Sequence, residues 1–470
     1  MPTLASYAPF KLSRDQEKAA HALEDFLADS KHNILIVKGF AGTGKTSLMK
    51  ALADYASQAG FDTVLLAATG RAASILQNKT RRPASTVHSH IYQMEDPEDF
   101  EDRQIIYFSL KQAYITRKTL FIVDEASLIS NHESTGGILQ YGSGRLLSDL
   151  LTFVKGHKIV FVGDAAQLPP VNSPLSPALD AENFRKYFGL EVPEIMLEEV
   201  MRFPKESAIY QNTHRLRQVI MGNLHPSKFY ISASSHPTEI ITYPLDSLML
   251  DEYTRLFKTN GPESTIFIAY SNAKVNILNQ AARQRLNFRN NPLTKSELLV
   301  VLANNILHQV YNGDLLTVLD YENNTEVRAD LHFRKVALLR HDIGGSIQIT
   351  GLMLEEILKA DKPMLPTEQE RKLIQDFMIR MNKKGITPKK TPEAFKQMLR
   401  MDPYLNALRL RYGYALTCHK AQGGEWDDVF IVFERSLFHP GNQGMLYRWI
   451  YTALTRAARR IHLAENPLIR

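Results

Sequence analysis

The sequence predicts an α/β fold of two parallel-sheet lobes in tandem, and three observations carry that reading. Short aliphatic runs alternate with helical stretches through the first two hundred residues: "NILIVK", "DTVLLAA", "KTLFIVDE" and "HKIVFVGD". Continuous apolar runs that end in polar residues suit parallel strands buried on both faces, with ligands at their carboxyl ends. The pattern then returns in "STIFIAYS" at Ser264–Ser271 and "DDVFIVFE" at Asp427–Glu434, which implies a second lobe. Finally, 470 residues exceed what one core serves. At ~100–200 residues per domain the chain divides into about three or four units.

Two stretches interrupt the lobes. From about Leu298 to Gln348 the chain alternates apolar and polar residues around the turn signals "NGD" and "ENN", the pattern of a small antiparallel barrel. Leu365–Arg400 follows, rich in Lys and Arg and helical in pattern. The expected division is a first lobe at 1–84 and 118–198, a hairpin insertion at 85–117, a second lobe at 199–290 and 402–470, and a barrel-plus-helix insertion at 291–401.

Composition excludes more than it selects. At 44% hydrophobic and 23% charged the chain is ordinary globular material. A net charge of +6 and a pI near 9.0 suit a polyanionic partner, and suit the absence of one nearly as well. The single cysteine, Cys418, excludes an intrachain disulfide and a cysteine-rich zinc site. The expected setting is a reducing, cytoplasmic one, associated with the nucleoid. The N-terminal stretch lacks an apolar signal core, and no run of eighteen apolar residues occurs.

The chemistry begins at Asn33–Lys50, "NILIVKGFAGTGKTSLMK". A strand feeds a glycine loop and then a helix, the context a phosphate-cradling loop requires. Loop N–H groups wrap the polyphosphate, and the helix N-terminus favours its charge. Gly39, Gly42, Thr43, Gly44, Lys45, Thr46 and Ser47 form the expected nucleotide site. Lys45 is placed for the β- and γ-phosphates of ATP, and the Thr46 hydroxyl for Mg²⁺. "LFIVDEAS" supplies Asp124 to hold Mg²⁺, through water, and Glu125 to polarise the attacking water. In "FVGDAAQLPPV" the Gln167 amide can sense the γ-phosphate; the alternative is a turn closed by Pro169-Pro170.

With "GFAGTGKT", "IVDEAS" and "GDAAQLPPV" in that order, the chain resembles superfamily-one helicases. "YALTCHKAQGGEWDDVFIVF" at Tyr414–Phe433 is similar to motif five of the RecD and Dda group, and "YTALTRAARR" at Tyr451–Arg460 to its motif six. The resemblance runs from about Leu12 to Arg460. It implies RecA-like lobes, an SH3-like barrel, and an enzyme that hydrolyses ATP with Mg²⁺ to move 5′→3′ on single-stranded DNA and open duplexes. It also implies a monomer that meets single-strand/duplex junctions and works beside replication or repair proteins. An RNA helicase of the same superfamily, a non-motor nucleotide switch or kinase, and a motor subunit in a larger nuclease complex are the rival readings.

The resemblance also assigns roles to residues. Arg456, in "LTRA", is the expected arginine finger, and Arg202, in "LEEVMRF", a second arginine on the γ-phosphate. Gln16 matches a glutamine that reads adenine, or is a solvated helix residue. Glu425, after Gly423 and Gly424, matches a ribose contact. The expected DNA track comprises Thr69 and Arg71 in "LAATGRAASIL", Thr86 and His88 in "ASTVHS", Ser271 and Asn272, and Thr417, His419 and Lys420. Relatives often carry Pro where this chain has Ala68. Ser271 and Asn272 read equally well as a helix cap, and a lone histidine is more often packed. The expected wedge is Asp102–Ile115, with Tyr107 and Phe108 near its tip or, equally, in hairpin packing. The acidic "EDPEDFED" upstream is expected to face away from phosphates. "YNGD" at Tyr311–Asp314 matches a turn of the SH3-like domain. Lys372, Arg380, Lys383, Lys384, Lys389 and Lys390 form a basic face open to solvent, DNA or wedge.

Overall fold

The computed structural model describes residues 2–95, 106–112, 117–134, 139–233, 237–288, 292–305, 307–342, 345–360, 364–439, 441, 443–466 and 468–470. Among the described residues, nine strands precede residue 200: β1 (Ile34–Gly39), β2 (Asp62–Ala67), β3 (Ala84–Thr86), β4 (Tyr92–Met94), β5 (Ile106–Leu110), β6 (Thr119–Asp124), β7 (Leu139–Tyr141), β8 (Lys158–Gly163) and β9 (Glu194–Leu197). Six of them form one parallel sheet, ordered β3-β2-β6-β8-β1-β9. Alternate residues of β1 serve opposite faces. Leu35 and Val37 pack under α1 (Arg14–Ala28) and α2 (Lys45–Gln58), whereas Ile34 and Ile36 pack with Phe121, Phe161, Leu147 and Leu150. Both faces are covered, so the strands are apolar throughout.

That order fixes where a ligand goes. β6, β8 and β1 are adjacent, so the segments after Asp124, Gly163 and Gly39 emerge side by side at the sheet's carboxyl edge. That edge, at the point where strand order reverses, is where open α/β sheets hold ligands.

The insertion boundary in the first lobe differs from the expected one. β3 lies in the lobe's own sheet, paired with β2, so the insertion begins beyond residue 84, after the short helix Val87–Ile91. It forms a three-stranded sheet, β4-β5-β7, in which β7 is a strand the sequence reading did not foresee. Tyr107 and Phe108 do not sit at a tip. Phe108 pairs with Met94 in the body of the strand, and its ring stacks on Tyr141 at 4.7 Å. Most of the acidic stretch, and the rest of residues 96–105, lies outside the described residues.

The second lobe carries β10 (Ile240–Tyr243), β11 (Thr265–Ala269), β17 (Ala415–Thr417), β18 (Trp426–Ile431) and β19 (Ala457–Ala464), ordered β10-β19-β18-β11-β17 and parallel throughout. Between β11 and β17 lie β12 (Leu298–Val301), β13 (Leu315–Arg328), β14 (Leu331–Asp342), β15 (Gly345–Leu354) and β16 (Leu410–Tyr412). They form an antiparallel sheet ordered β15-β14-β13-β12-β16. Its edges are joined beside β16, where Leu408 N–H donates to Leu352 O at 2.7 Å and Leu354 N–H to Leu408 O at 3.1 Å. β16 therefore extends this insertion to Tyr412, past the expected end at residue 401. A buried ion pair, Arg283 with Glu297, pins it to the helix Asn272–Arg285 of the second lobe.

Two helices, Thr367–Lys383 and Pro392–Met401, sit between β15 and β16. Ile374, Phe377, Met381, Phe395 and Leu399 form their shared core, and Met94 of β4 and Ile106 of β5 pack against it. The basic helical pair thus rests its apolar side on the ends of β4 and β5 that lie nearest residues 96–105. Lys372 and Arg380 are spent on acidic neighbours, Asp330 for the first and Asp376 and Asp402 for the second. No described helix is long and apolar enough to cross a membrane.

Candidate nucleotide cleft and strand-contacting surface

β1 ends in the loop 40–44, and α2 starts at Lys45. Gly42 and Gly44 adopt left-handed φ of 83° and 79°, a conformation that a side chain would strain. At Gly42 the space also demands glycine, because a Cβ there would lie 2.8 Å from Arg202 Cβ. The first helical hydrogen bond is Leu48 N–H to Gly44 O, 3.0 Å. The N–H groups of Lys45, Thr46 and Ser47 therefore have no intrahelical acceptor and face the loop's mouth. Lys45 Nζ donates to Gly39 O at 2.8 Å and Phe40 O at 3.0 Å.

Gln16 is buried rather than solvated. Its Nε2 donates to Thr43 O at 2.9 Å, and its Oε1 accepts the Ser13 N–H at 2.9 Å in the capping box of α1. The glutamine that the resemblance assigns to adenine thus holds the phosphate loop itself.

Asp124 closes β6, and its Oδ1 accepts the Glu125 N–H at 2.9 Å. Glu125 follows with a left-handed φ of 51°, a strain of the kind that clusters at functional sites. Burial pushes both carboxyls toward the protonated form, and Asp124's charge pushes Glu125 further. The charges of Arg456 and Lys45 pull Glu125 the other way. An arginine from the last motif is therefore felt by a carboxylate of the first lobe. Gln167 is buried as well, and its Oε1 has no hydrogen-bond partner among the described residues.

The two arginines differ in their present state. Arg202 pairs with Glu425 across 2.9 Å, so the expected phosphate and ribose contacts hold each other. Arg456 is buried and bonded only to neutral oxygens: Thr452 O, Gly424 O and Thr455 Oγ1, at 3.1–3.2 Å. Among the described residues it has no carboxylate partner within ion-pair distance.

The expected strand contacts fall into two kinds. Thr69, Thr86 and Ser271 are helix N-caps, accepting from Ala72, Ser89 and Lys274 at 3.1–3.2 Å. Ser271 also donates to Glu434 at 2.6 Å, so the capping alternative is realised there. Asn272 is exposed, and its Oδ1 accepts from Arg411 at 3.2 Å. His88 packs against Tyr141 and Tyr92, and burial keeps it neutral. Burial likewise lowers His419, whose Nε2 has no partner among the described residues. Lys420 Nζ is buried and has no hydrogen-bond partner among the described residues; burial, with Arg411's charge, brings it down to about 8. Thr417 precedes the short helix Cys418–Ala421 without capping it through its side chain.

Arg71 is committed elsewhere. Nη1 donates to Gly313 O at 2.9 Å, and the guanidinium lies 4.8 Å from the Trp426 ring centroid. First lobe, the turn before β13 and second lobe meet at this side chain, with Lys420 O beside Gly313. Sequence reasoning quoted the segments containing Trp426, Gly313, Asp164, Tyr451 and Thr452 but assigned these residues no role. Their signal was proximity to a motif; their partners lie too far along the chain to be read.

These features define a two-lobed, P-loop nucleotide-binding class in which both lobes contribute to one cleft. Residues 11–221 match the AAA domain family, and residues 412–464 match the UvrD-like helicase C-terminal domain. Both matches fall on the ordered motifs, and the chain is similar to these two families over those segments. An ATP-dependent RecD2 DNA helicase of Deinococcus radiodurans is 25% identical over 450 residues, covering 93% of this chain and 47% of its own length. The chain thus spans about half the length of that relative. A Bacteroides Pif1 bound to single-stranded DNA aligns at a TM-score of 0.50 and 16% identity over 97% of this chain and 92% of its own. Pif1 helicase from Candida albicans aligns at 0.50 and 16% over 97% and 95%. These two likenesses concern the fold.

Proposed function

We propose that the chain is an ATP-dependent DNA helicase that moves 5′→3′ along single-stranded DNA, hydrolysing ATP to ADP and phosphate. The observation that carries this reading is the convergence of distant segments on one cleft. Lys45, Asp124 and Glu125 come from the first lobe, and the helix just before Arg456 meets that lobe's loops, Tyr451 Oη accepting the Ala41 N–H at 3.1 Å and Thr452 Oγ1 the Leu168 N–H at 3.0 Å. A kinase or simple switch has no use for a second lobe that brings an arginine to the same place. The naming of the D. radiodurans relative as a DNA helicase favours DNA over RNA.

Each residue then has a task. Lys45 exchanges the Gly39 and Phe40 carbonyls for phosphate oxygens. Arg202 exchanges Glu425 for the γ-phosphate as the lobes close. Glu125, half-buried beside Asp124, orients the attacking water and accepts its proton. Gln167 reports whether the γ-phosphate is present. Thr46 and Asp124 offer the hard oxygen donors that Mg²⁺ takes, and Asp124 Oδ2 has no hydrogen bond among the described residues. Bound there, Mg²⁺ would neutralise phosphate charge. Arg456 stabilises charge developing on the transferred phosphoryl group.

Closure becomes movement if the lobes grip the strand unequally in the two states. Thr69, Thr86 and His88 line one grip, and Asn272, Thr417, His419 and Lys420 the other. Tyr107 and Phe108 serve the wedge from the strand body. Unwinding of two duplexes, one with a 5′ tail and one with a 3′ tail, tests activity and direction together. Opening of the 5′-tailed duplex alone is expected; opening of the 3′-tailed one alone overturns the direction, and opening of neither overturns the activity.

A further inference from the structure

We infer that Tyr451 is a positioning residue, joining the second lobe to the phosphate loop and to the Gln167 loop through one three-way hydrogen-bond node. The inference rests on the functional reading above and names a part of the machine that reading leaves out.

The node is built on the helix Gln443–Leu454, which lies just before Arg456. Arg448, Tyr451 and Thr452 are spaced three and four apart, so they share one face. That face grips the first lobe's loop after β8. Arg448 donates to Ala165 O, and Thr452 Oγ1 accepts the Leu168 N–H at 3.0 Å. Gln422 adds a bond to Leu168 O at 3.1 Å from the neighbouring segment.

Tyr451 reaches furthest. Its hydroxyl donates to Asp164 Oδ2 at 2.8 Å and accepts the Ala41 N–H at 3.1 Å. A phenol has one proton to give, and here it goes to a carboxylate while the oxygen receives a phosphate-loop amide. Tyr451 and Asp164 are each only 1% exposed, so neither bond competes with bulk water. Asp164 Oδ1 meanwhile accepts the Ala166 N–H at 2.9 Å, which shapes the turn leading to Gln167. On the other side, Arg456 Nε donates to Thr452 O at 3.1 Å. A displacement of the phosphate loop therefore reaches the turn that carries Gln167, and the helix end that carries Arg456, through a single oxygen atom.

Tyr451→Phe removes that oxygen and keeps the packed ring. Steady-state ATP hydrolysis by the full chain is measured with and without oligo(dT) for wild type, Tyr451→Phe, Asp164→Ala and Asp164→Asn. The expected result is that Tyr451→Phe and Asp164→Ala lower the DNA stimulation of kcat about tenfold, the scale of one buried charge-assisted hydrogen bond. KM for ATP stays within about twofold, because the phosphate grips themselves are intact. Asp164→Asn keeps one acceptor where two are used, for the phenol and for the Ala166 N–H, and is expected to lose stimulation as well. Two results overturn the inference: undiminished stimulation in Tyr451→Phe, or a fall matched by an equal rise in KM. A wild-type chain without DNA stimulation sinks the functional reading and this inference with it. A stimulated wild type with an equally stimulated Tyr451→Phe sinks this inference alone.

Discussion

Lys45 and Arg202 both hold partners that the proposed function has them release: two loop carbonyls for the lysine, Glu425 for the arginine. Exchange of protein acceptors for phosphate oxygens lets the cleft bind a triphosphate without leaving a bare cation behind. Lys45→Ala is expected to abolish ATP hydrolysis and leave single-strand binding within about twofold, because the strand grips lie elsewhere. A filter-binding titration beside a phosphate-release assay checks this; retained hydrolysis contradicts the role. The nucleotide residues were legible because their chemistry is local: the glycine conformations, Lys45 and Thr46 follow one strand, and Asp124 and Glu125 follow another. The strand contacts were less legible. Ser271 is held by Glu434, His88 by Tyr141, and Arg71 by Gly313 and Trp426. Each of those partners lies more than fifty residues away along the chain, and nothing in the local pattern announces it.

Elements meet at positions that small residues keep open. Gly70, at the start of the helix Gly70–Thr80, lies against the Tyr311 side chain of the turn before β13, and a Cβ there would overlap it. Gly70→Ala is expected to cost about 1–3 kcal/mol, the usual scale of overpacking. Tyr311→Gly, which removes the Cβ that a side chain at Gly70 would strike, should restore much of the loss in a urea titration when added to it. A double variant no more stable than Gly70→Ala would mean that the two elements do not press on each other. The Arg283–Glu297 pair makes a second joint, between helix and antiparallel insertion, with both groups buried. Glu297→Gln leaves a buried guanidinium without its counter-charge and is expected to cost about 3–5 kcal/mol; a midpoint within error of wild type contradicts that. Boundaries were misjudged at β3 and β16, each of three residues. Such short strands carry too few alternations to read, and only their partners β2 and β12 decide which sheet owns them. The long aliphatic strands were legible because burial on both faces writes itself into every residue.

At the scale of the whole molecule, the two lobes, their parallel sheets and the antiparallel insertion follow from pattern alone. The joints between them do not, because those depend on side chains from three units meeting at once. The joined lobes also carry a common pH response. His88, His90, His214, His308, His419 and His462 are all held below the usual imidazole value, chiefly by burial. The unfolded chain takes up protons near pH ~6.5, and the folded chain resists them until lower pH. Folding stability is therefore expected to fall as the solution is acidified from about pH 7.5 to about pH 5.5. Urea midpoints at those two pH values check this; an equal or higher midpoint at the lower pH contradicts it.

The central claim is that Arg456, from the end of the chain, acts on the triphosphate held by the loop after Gly39. The most direct test is the rate of ATP hydrolysis by Arg456→Ala at saturating single-stranded DNA. A fall of about a thousandfold or more against wild type is predicted, the scale of an arginine finger. Hydrolysis at the wild-type rate would contradict the account.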